Sequence, residues 1–84
     1  MIKEKLHQFV IRVPKNKANF IYYLLESHEG LLFHSTLDGD KHANHRDILM
    51  TGSITLENEI QHLIDEMRQI SPIEIMEDKI IFDS

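Results

Sequence analysis

The chain has no cysteine and no tryptophan, and only two prolines and three glycines in 84 residues. Without cysteine there can be no disulfide, no iron–sulfur cluster and no thiolate zinc site. This fits a reducing compartment. Basic residues are also scarce: nine lysines and arginines stand against fourteen aspartates and glutamates, a formal net charge of −5. A nucleic-acid binder needs a basic face, so nucleic acid is not an expected partner. No apolar run approaches the roughly 20 residues of a membrane-crossing helix. The opening "MIKEKLHQFVIRV" has charges dispersed through it, where a signal peptide has an unbroken apolar core. The expectation is a soluble cytoplasmic protein with no membrane partner.

What is present is an ordinary globular composition, 42% hydrophobic, with the apolar residues in periodic runs. The length predicts one domain, residues 1–84. A chain this short buries roughly 60% of the surface its unfolded form exposes, so its stability margin is thin.

"HQFVIRV" alternates, with Phe9, Ile11 and Val13 on one side and Gln8, Val10 and Arg12 on the other, the pattern of a half-buried strand. Pro14 suits the entrance to a helix. "KNKANFIYYLLESHEG" places Ala18, Ile21, Leu24, Leu25 and His28 on one helical face, with Asn16 as N-cap and Gly30 as the left-handed residue after the end. "LLFHSTL" reads as a second strand, with Leu31, Phe33, Ser35 and Leu37 inward and Leu32, His34 and Thr36 outward. "DILMTGS" reads as a third, with Ile48 and Met50 opposed to Leu49 and Thr51. Between these strands Asp38-Gly39 signals a turn, and Asp40 to Arg46 reads as a mobile polar connection. "TLENEIQHLIDEMRQI" carries the stripe Ile60, Leu63, Ile64, Met67 and Ile70, with Thr55 as cap and Glu57 and Glu59 at the positive end of the helix dipole. Ser71-Pro72 ends it, and "PIEIMEDKIIFDS" closes the chain as a fourth strand, with a fold-back through "MEDK" to a short fifth as an alternative.

The order strand, helix, strand, strand, helix, strand predicts an α+β fold: a ferredoxin-like βαββαβ antiparallel sheet with both helices on one face. Crossovers of the usual hand give the strand order 4-1-3-2. The expected core includes Phe9, Ile11, Val13, Ile21, Leu25, Phe33, Ile48, Met50, Ile60, Leu63, Ile64, Met67 and Ile75.

The stretch "NFIYYLLESHEGLLFHSTLD", Asn19 to Asp38, resembles a small bacterial ACT-like family catalogued as domain of unknown function 4911. The matching features are an amphipathic helix, an acidic residue before glycine, and a strand ending near Thr-Leu-Asp. The histidine-rich connection from Asp40 to Arg46 departs from that family. The resemblance implies a single ACT-like domain, small-ligand binding (often of amino acids) and pairing of domains. It brings no established activity and carries no binding residue onto this chain.

Each known use of the fold needs particular residues. Ferredoxins and copper chaperones need cysteines. RNA-recognition domains need exposed aromatic and basic residues on the sheet, and the expected outward positions hold no aromatic. An acylphosphatase-type loop needs glycine and arginine, and "VPKNKAN" has neither. No nucleophile, histidine and acid stand at a recognisable catalytic spacing, so no enzyme activity, catalytic residue or cofactor is expected.

His34, His42 and His45 form the weak alternative, a metal-responsive site for zinc or nickel in the loop between the second and third strands. The solvated-loop reading is favoured, because a polar stretch without apolar anchors does not preorganise ligands. His28 reads as a half-buried helix-end histidine, and Glu26 and Glu29 as solvated. Gly52-Ser53 offers an anion-binding helix start only weakly, since Glu57 and Glu59 repel phosphate. One of Tyr22 and Tyr23 should pack at the core edge with its hydroxyl in water. Val10, Leu32 and Leu49, expected together on the uncovered sheet face, are the candidate interface. The expected function is a non-catalytic small-ligand-binding or regulatory module that forms a homodimer. Besides the metal-responsive alternative, a plain protein-interaction subunit is the third reading.

Overall fold

A computed structural model of the chain describes residues 4–37, 39 and 43–83. The first alternating run forms β1 (Glu4–Pro14), longer at its start than the pattern foretold. Phe9, Ile11 and Val13 are buried on one side, as their period of two requires. Pro14 ends the strand and feeds a 3-10 turn at Lys15–Lys17, which leads into α1 (Ala18–Ser27). Asn16 lies inside that turn and does not cap the helix; the N-cap position is Lys17, without a side-chain hydrogen bond. Ala18, Ile21 and Leu25 are the buried stripe of α1, and Gly30 follows the helix with φ 93°.

β2 (Phe33–Thr36) is short and β3 (His45–Ser53) is long. His45 and Arg46, expected in the polar connection, are strand residues opposite Pro14 and Val13. Asp40, Lys41 and His42 lie outside the described residues. A 3-10 turn at Ile54–Leu56 precedes α2 (Glu57–Ile70), and the Ser53 hydroxyl, not that of Thr55, accepts from the Thr55 N–H at 3.3 Å. Ile60, Leu63, Ile64 and Met67 are buried along α2, while Ile70 is partly exposed. The helix stops at Ser71-Pro72, where Ser71 N–H bonds the Met67 carbonyl at 3.0 Å.

β4 (Glu74–Asp83) is one continuous strand, without the fold-back that "MEDK" offered. It absorbs an extra residue instead. Val10 faces Glu77 while Ile11 faces Ile75, so Met76 is a bulge. The sheet is antiparallel in the order β2-β3-β1-β4, which read from its other edge is 4-1-3-2. Both helices supply their stripes to a single core with Phe9, Ile11, Val13, Ile48 and Met50. Ile73 joins that core from the turn before β4.

Two expected core residues are outside it. Phe33 is 84% exposed, and Ile75, on an edge strand, is 38% exposed. Phe33 fails because the side assignment of β2 is the reverse of the expected one. His34 stands opposite Met50 and Thr36 opposite Ile48, on the helix side, so Phe33 and Ser35 share the uncovered face with Thr51 and Leu49. A slip of one residue in phase moves every side chain to the other face.

Candidate functional site

A cleft opens where α1 ends and β2 begins. The left-handed Gly30 turns the chain away from the helix, and Leu31 N–H bonds the His28 carbonyl at 3.1 Å. The chain then enters β2 at Phe33, leaving an open cavity of about 510 Å³ between the two elements. Its apolar floor is Leu25 and Leu32. Phe33 borders the cavity where β2 begins, its side chain on the uncovered face, and Glu26, Glu29 and His34 are the polar lining. The volume falls in the range of small-molecule sites, about 300–1,000 Å³. Tyr22 backs His34, with ring centroids 6.2 Å apart, and its hydroxyl is hydrogen-bonded to the Thr36 hydroxyl. Tyr23 points to solvent. His28 is half-buried, and its Nδ1 donates to the Leu24 carbonyl at 3.0 Å, closing the helix end.

The potential in this cleft is negative. The carbonyl end of a helix carries partial negative charge. The last turn of α1 has no basic residue, and Glu26 and Glu29 are added to it.

A second polar cluster lies on the helix side of the sheet. His7 Nε2 donates to Asp78 Oδ1 at 2.5 Å, and His7 Nδ1 lies 2.6 Å from Glu57 Oε1. The second contact is close but off the line of a hydrogen bond. The Phe9 ring packs 4.8 Å from the imidazole. The cluster ties β1, the start of α2 and β4 together. Nε2 is held by Asp78, and Nδ1 faces Glu57 without a hydrogen bond. The arrangement braces these three elements against one another.

The uncovered face holds the residues expected to pair. Val10 is buried and lies opposite the half-buried Leu49. Around them Gln8 Nε2 donates to Thr51 Oγ1 at 3.4 Å, and Arg12 forks onto Asp47. In that fork Nε reaches Oδ1 at 2.8 Å and Nη2 reaches Oδ2 at 3.0 Å. Hydrogen bonding from Arg12 holds the Asp47 carboxyl below its ordinary 3.8, burial opposes this, and the charges of Arg12 and His45 reinforce it. Leu32 is not on this face. It packs against the core from the helix side, so the expected trio of Val10, Leu32 and Leu49 reduces to a pair, with Phe33 as the aromatic on the same side.

The three histidines of the metal alternative are not assembled. His34 lies opposite Met50 on the helix side, and His45 lies five positions from Met50 along β3 on the uncovered side. At the rise of a strand that separation is about 17 Å. His42 lies outside the described residues. Among the described residues no group of three or more acidic or histidine side chains could hold a metal ion. Gly52, weighed above as part of an anion-binding helix start, has a packing role. Gly52 is buried, and a Cβ there would lie 2.7 Å from Ile60 Cδ1. The glycine lets α2 approach the sheet.

The cleft was missed by sequence reasoning, because Glu26 and Glu29 look like solvated helix residues and Phe33 looks like core. The available signal was electrostatic: two acids at the end of a helix where bases are favoured.

The architecture is that of a ferredoxin-like α+β domain with helices on one face. Solved structures share it. The nitrogen regulatory PII-like protein CPII from Thiomonas intermedia K12, bound to ADP, AMP and bicarbonate, superposes with a TM-score of 0.62 at 11% identity, covering 99% of this chain and 97% of that one. The same protein bound to ADP, AMP and acetate gives 0.57 at 11% identity, covering 100% and 93%. At this identity the likeness establishes the fold. No family model matches the chain, and no curated protein matches it in sequence. Among the described residues no helix is long and apolar enough to cross a membrane.

Proposed function

We propose that the chain is a non-catalytic regulatory module that binds a small molecule in the cleft between α1 and β2 and works as a homo-oligomer. The observation that carries this reading is the cleft itself. It has ligand-sized volume, an apolar floor and three polar residues, Glu26, Glu29 and His34, in its lining. The fold adds support, since a PII-like protein of the same architecture was solved with ADP and AMP bound. The expected kinship with the small bacterial ACT-like family belongs to the same proposal and rests on the stretch Asn19 to Asp38. Pairing is supported by the apolar contact of Val10 and Leu49 on a face that no helix covers.

The test is a thermal scan of the protein against adenine nucleotides, amino acids and aliphatic amines. A ligand at 100 times its dissociation constant stabilises the folded state by about 2.7 kcal/mol. Binding by one class, lost in His34→Ala, is the expected result. Silence across the panel at millimolar concentration overturns the reading.

A further inference from the structure

We infer that the cleft between α1 and β2 takes an organic cation: a primary ammonium or guanidinium group carried on an apolar body. The inference rests on the reading of this cleft as the ligand site and names the ligand's chemistry.

Three sources of negative potential meet there. Glu26 lies in the last turn of α1 and Glu29 in the turn that follows it, and both line the cavity. Among the described residues neither forms an ion pair. The carbonyl end of α1 is the third source, and no base in the last turn offsets it. Acids at this end of a helix oppose its dipole and cost stability. A bound cation would relieve all three at once. The floor of Leu25 and Leu32 calls for hydrocarbon behind the charge.

The same features reject anions. Among the described residues no lysine or arginine lines the cavity, and a phosphate placed there would face two carboxylates. The nucleotides bound to the PII-like protein are therefore the wrong charge for this cleft. The other strong candidates carry less. His7 is held between Asp78 and Glu57 under the start of α2 with no cavity beside it among those described, and Arg12 beside the Pro14–His45 hollow is already paired with Asp47.

The experiment is calorimetric titration with phenethylamine, agmatine and cadaverine. Phenethyl alcohol serves as the uncharged counterpart of phenethylamine, and ADP and AMP as anions. The expected result is that the amines bind, that the alcohol binds at least about tenfold more weakly, and that added salt weakens the amines. The double variant Glu26→Gln, Glu29→Gln should lose about tenfold or more in amine affinity. That variant should itself melt no lower than the parent, since it removes like charge from the negative helix end. Equal binding of phenethylamine and phenethyl alcohol would overturn the inference by reducing the site to an apolar groove. Binding of ADP or AMP without the amines would overturn it while leaving the regulatory module intact. Failure of every probe, together with silence of the wider panel, would overturn both.

Discussion

Phe33 stands directly opposite Thr51, on the face of the sheet that no helix covers. Its neighbour His34 takes the position facing Met50 and the helix layer. The largest apolar residue of β2 is thereby excluded from the core and left exposed on the uncovered face. Phe33→Ala should change folding stability by no more than about 0.5 kcal/mol, the range of surface substitutions. Leu63→Ala, in the buried stripe of α2, should cost about 2–5 kcal/mol. Urea melts of the two variants measure the contrast. Equal losses would mean that Phe33 is packed after all.

Gly52 is a packing glycine. A Cβ would lie 2.7 Å from Ile60 Cδ1 and 3.2 Å from Leu32 Cβ. Gly52→Ala should destabilise by about 1–3 kcal/mol through overpacking. Adding Ile60→Val removes the clashing methyl and should recover part of that loss. A double-mutant cycle read by chemical denaturation shows the coupling.

The Arg12–Asp47 fork makes a pH-dependent contribution of definite sign. The Asp47 carboxyl is held below its ordinary 3.8 by the Arg12 hydrogen bond. Its stabilisation is fully present above 3.8 and is lost as pH falls through the lower, folded-state value. The advantage of the parent over Asp47→Asn should therefore be constant near neutrality and shrink below pH 3.8. Denaturation midpoints of both proteins across that window give the answer. A gap that persists undiminished far into acid would remove the fork as its cause.

Pairing through the uncovered face depends on Val10 and Leu49. Leu49→Glu puts a charge beside the buried Val10 and should convert an oligomer to monomer in light scattering at high micromolar concentration. A parent that is already monomeric there ends the pairing proposal. An oligomer indifferent to the glutamate moves the contact elsewhere on the molecule.

Zinc and nickel should leave the melting temperature unchanged at low micromolar concentration, and chelator should do the same. His34 and His45 sit on opposite sides of the sheet. One tight site that vanishes in His42→Ala would restore the metal-responsive alternative.

The helices and the central strands were legible because their periods are unambiguous. Ile60, Leu63, Ile64 and Met67 recur as only a helix demands, and Phe9, Ile11 and Val13 as only a strand demands. β2 was not legible, because Leu31, Leu32 and Phe33 are apolar in both phases and the sequence offers no alternation to choose between them. β4 was legible as a strand, but the three charges in a row at Glu77-Asp78-Lys79 kept a fold-back open beside it. An edge strand tolerates such charges, which also discourage a foreign strand from adding to it. The candidate cleft was the least visible part. It is made by the angle between a helix end and a strand, and its acids acquire meaning only once that angle is known.

The pairing of β1 with both β3 and β4 has a consequence for how the molecule is made. β1 is translated before both of its partners, and Glu4 finds its partner at Asp83. Contacts this distant along the chain are slow to form, since the intervening segment must be ordered before they stabilise anything. A nascent chain halted before Glu74 would present β1 with one bare flank, an open template for a neighbouring strand. The ten residues of β4 are thus the seal on the structure, and an unfinished copy is sticky until they arrive.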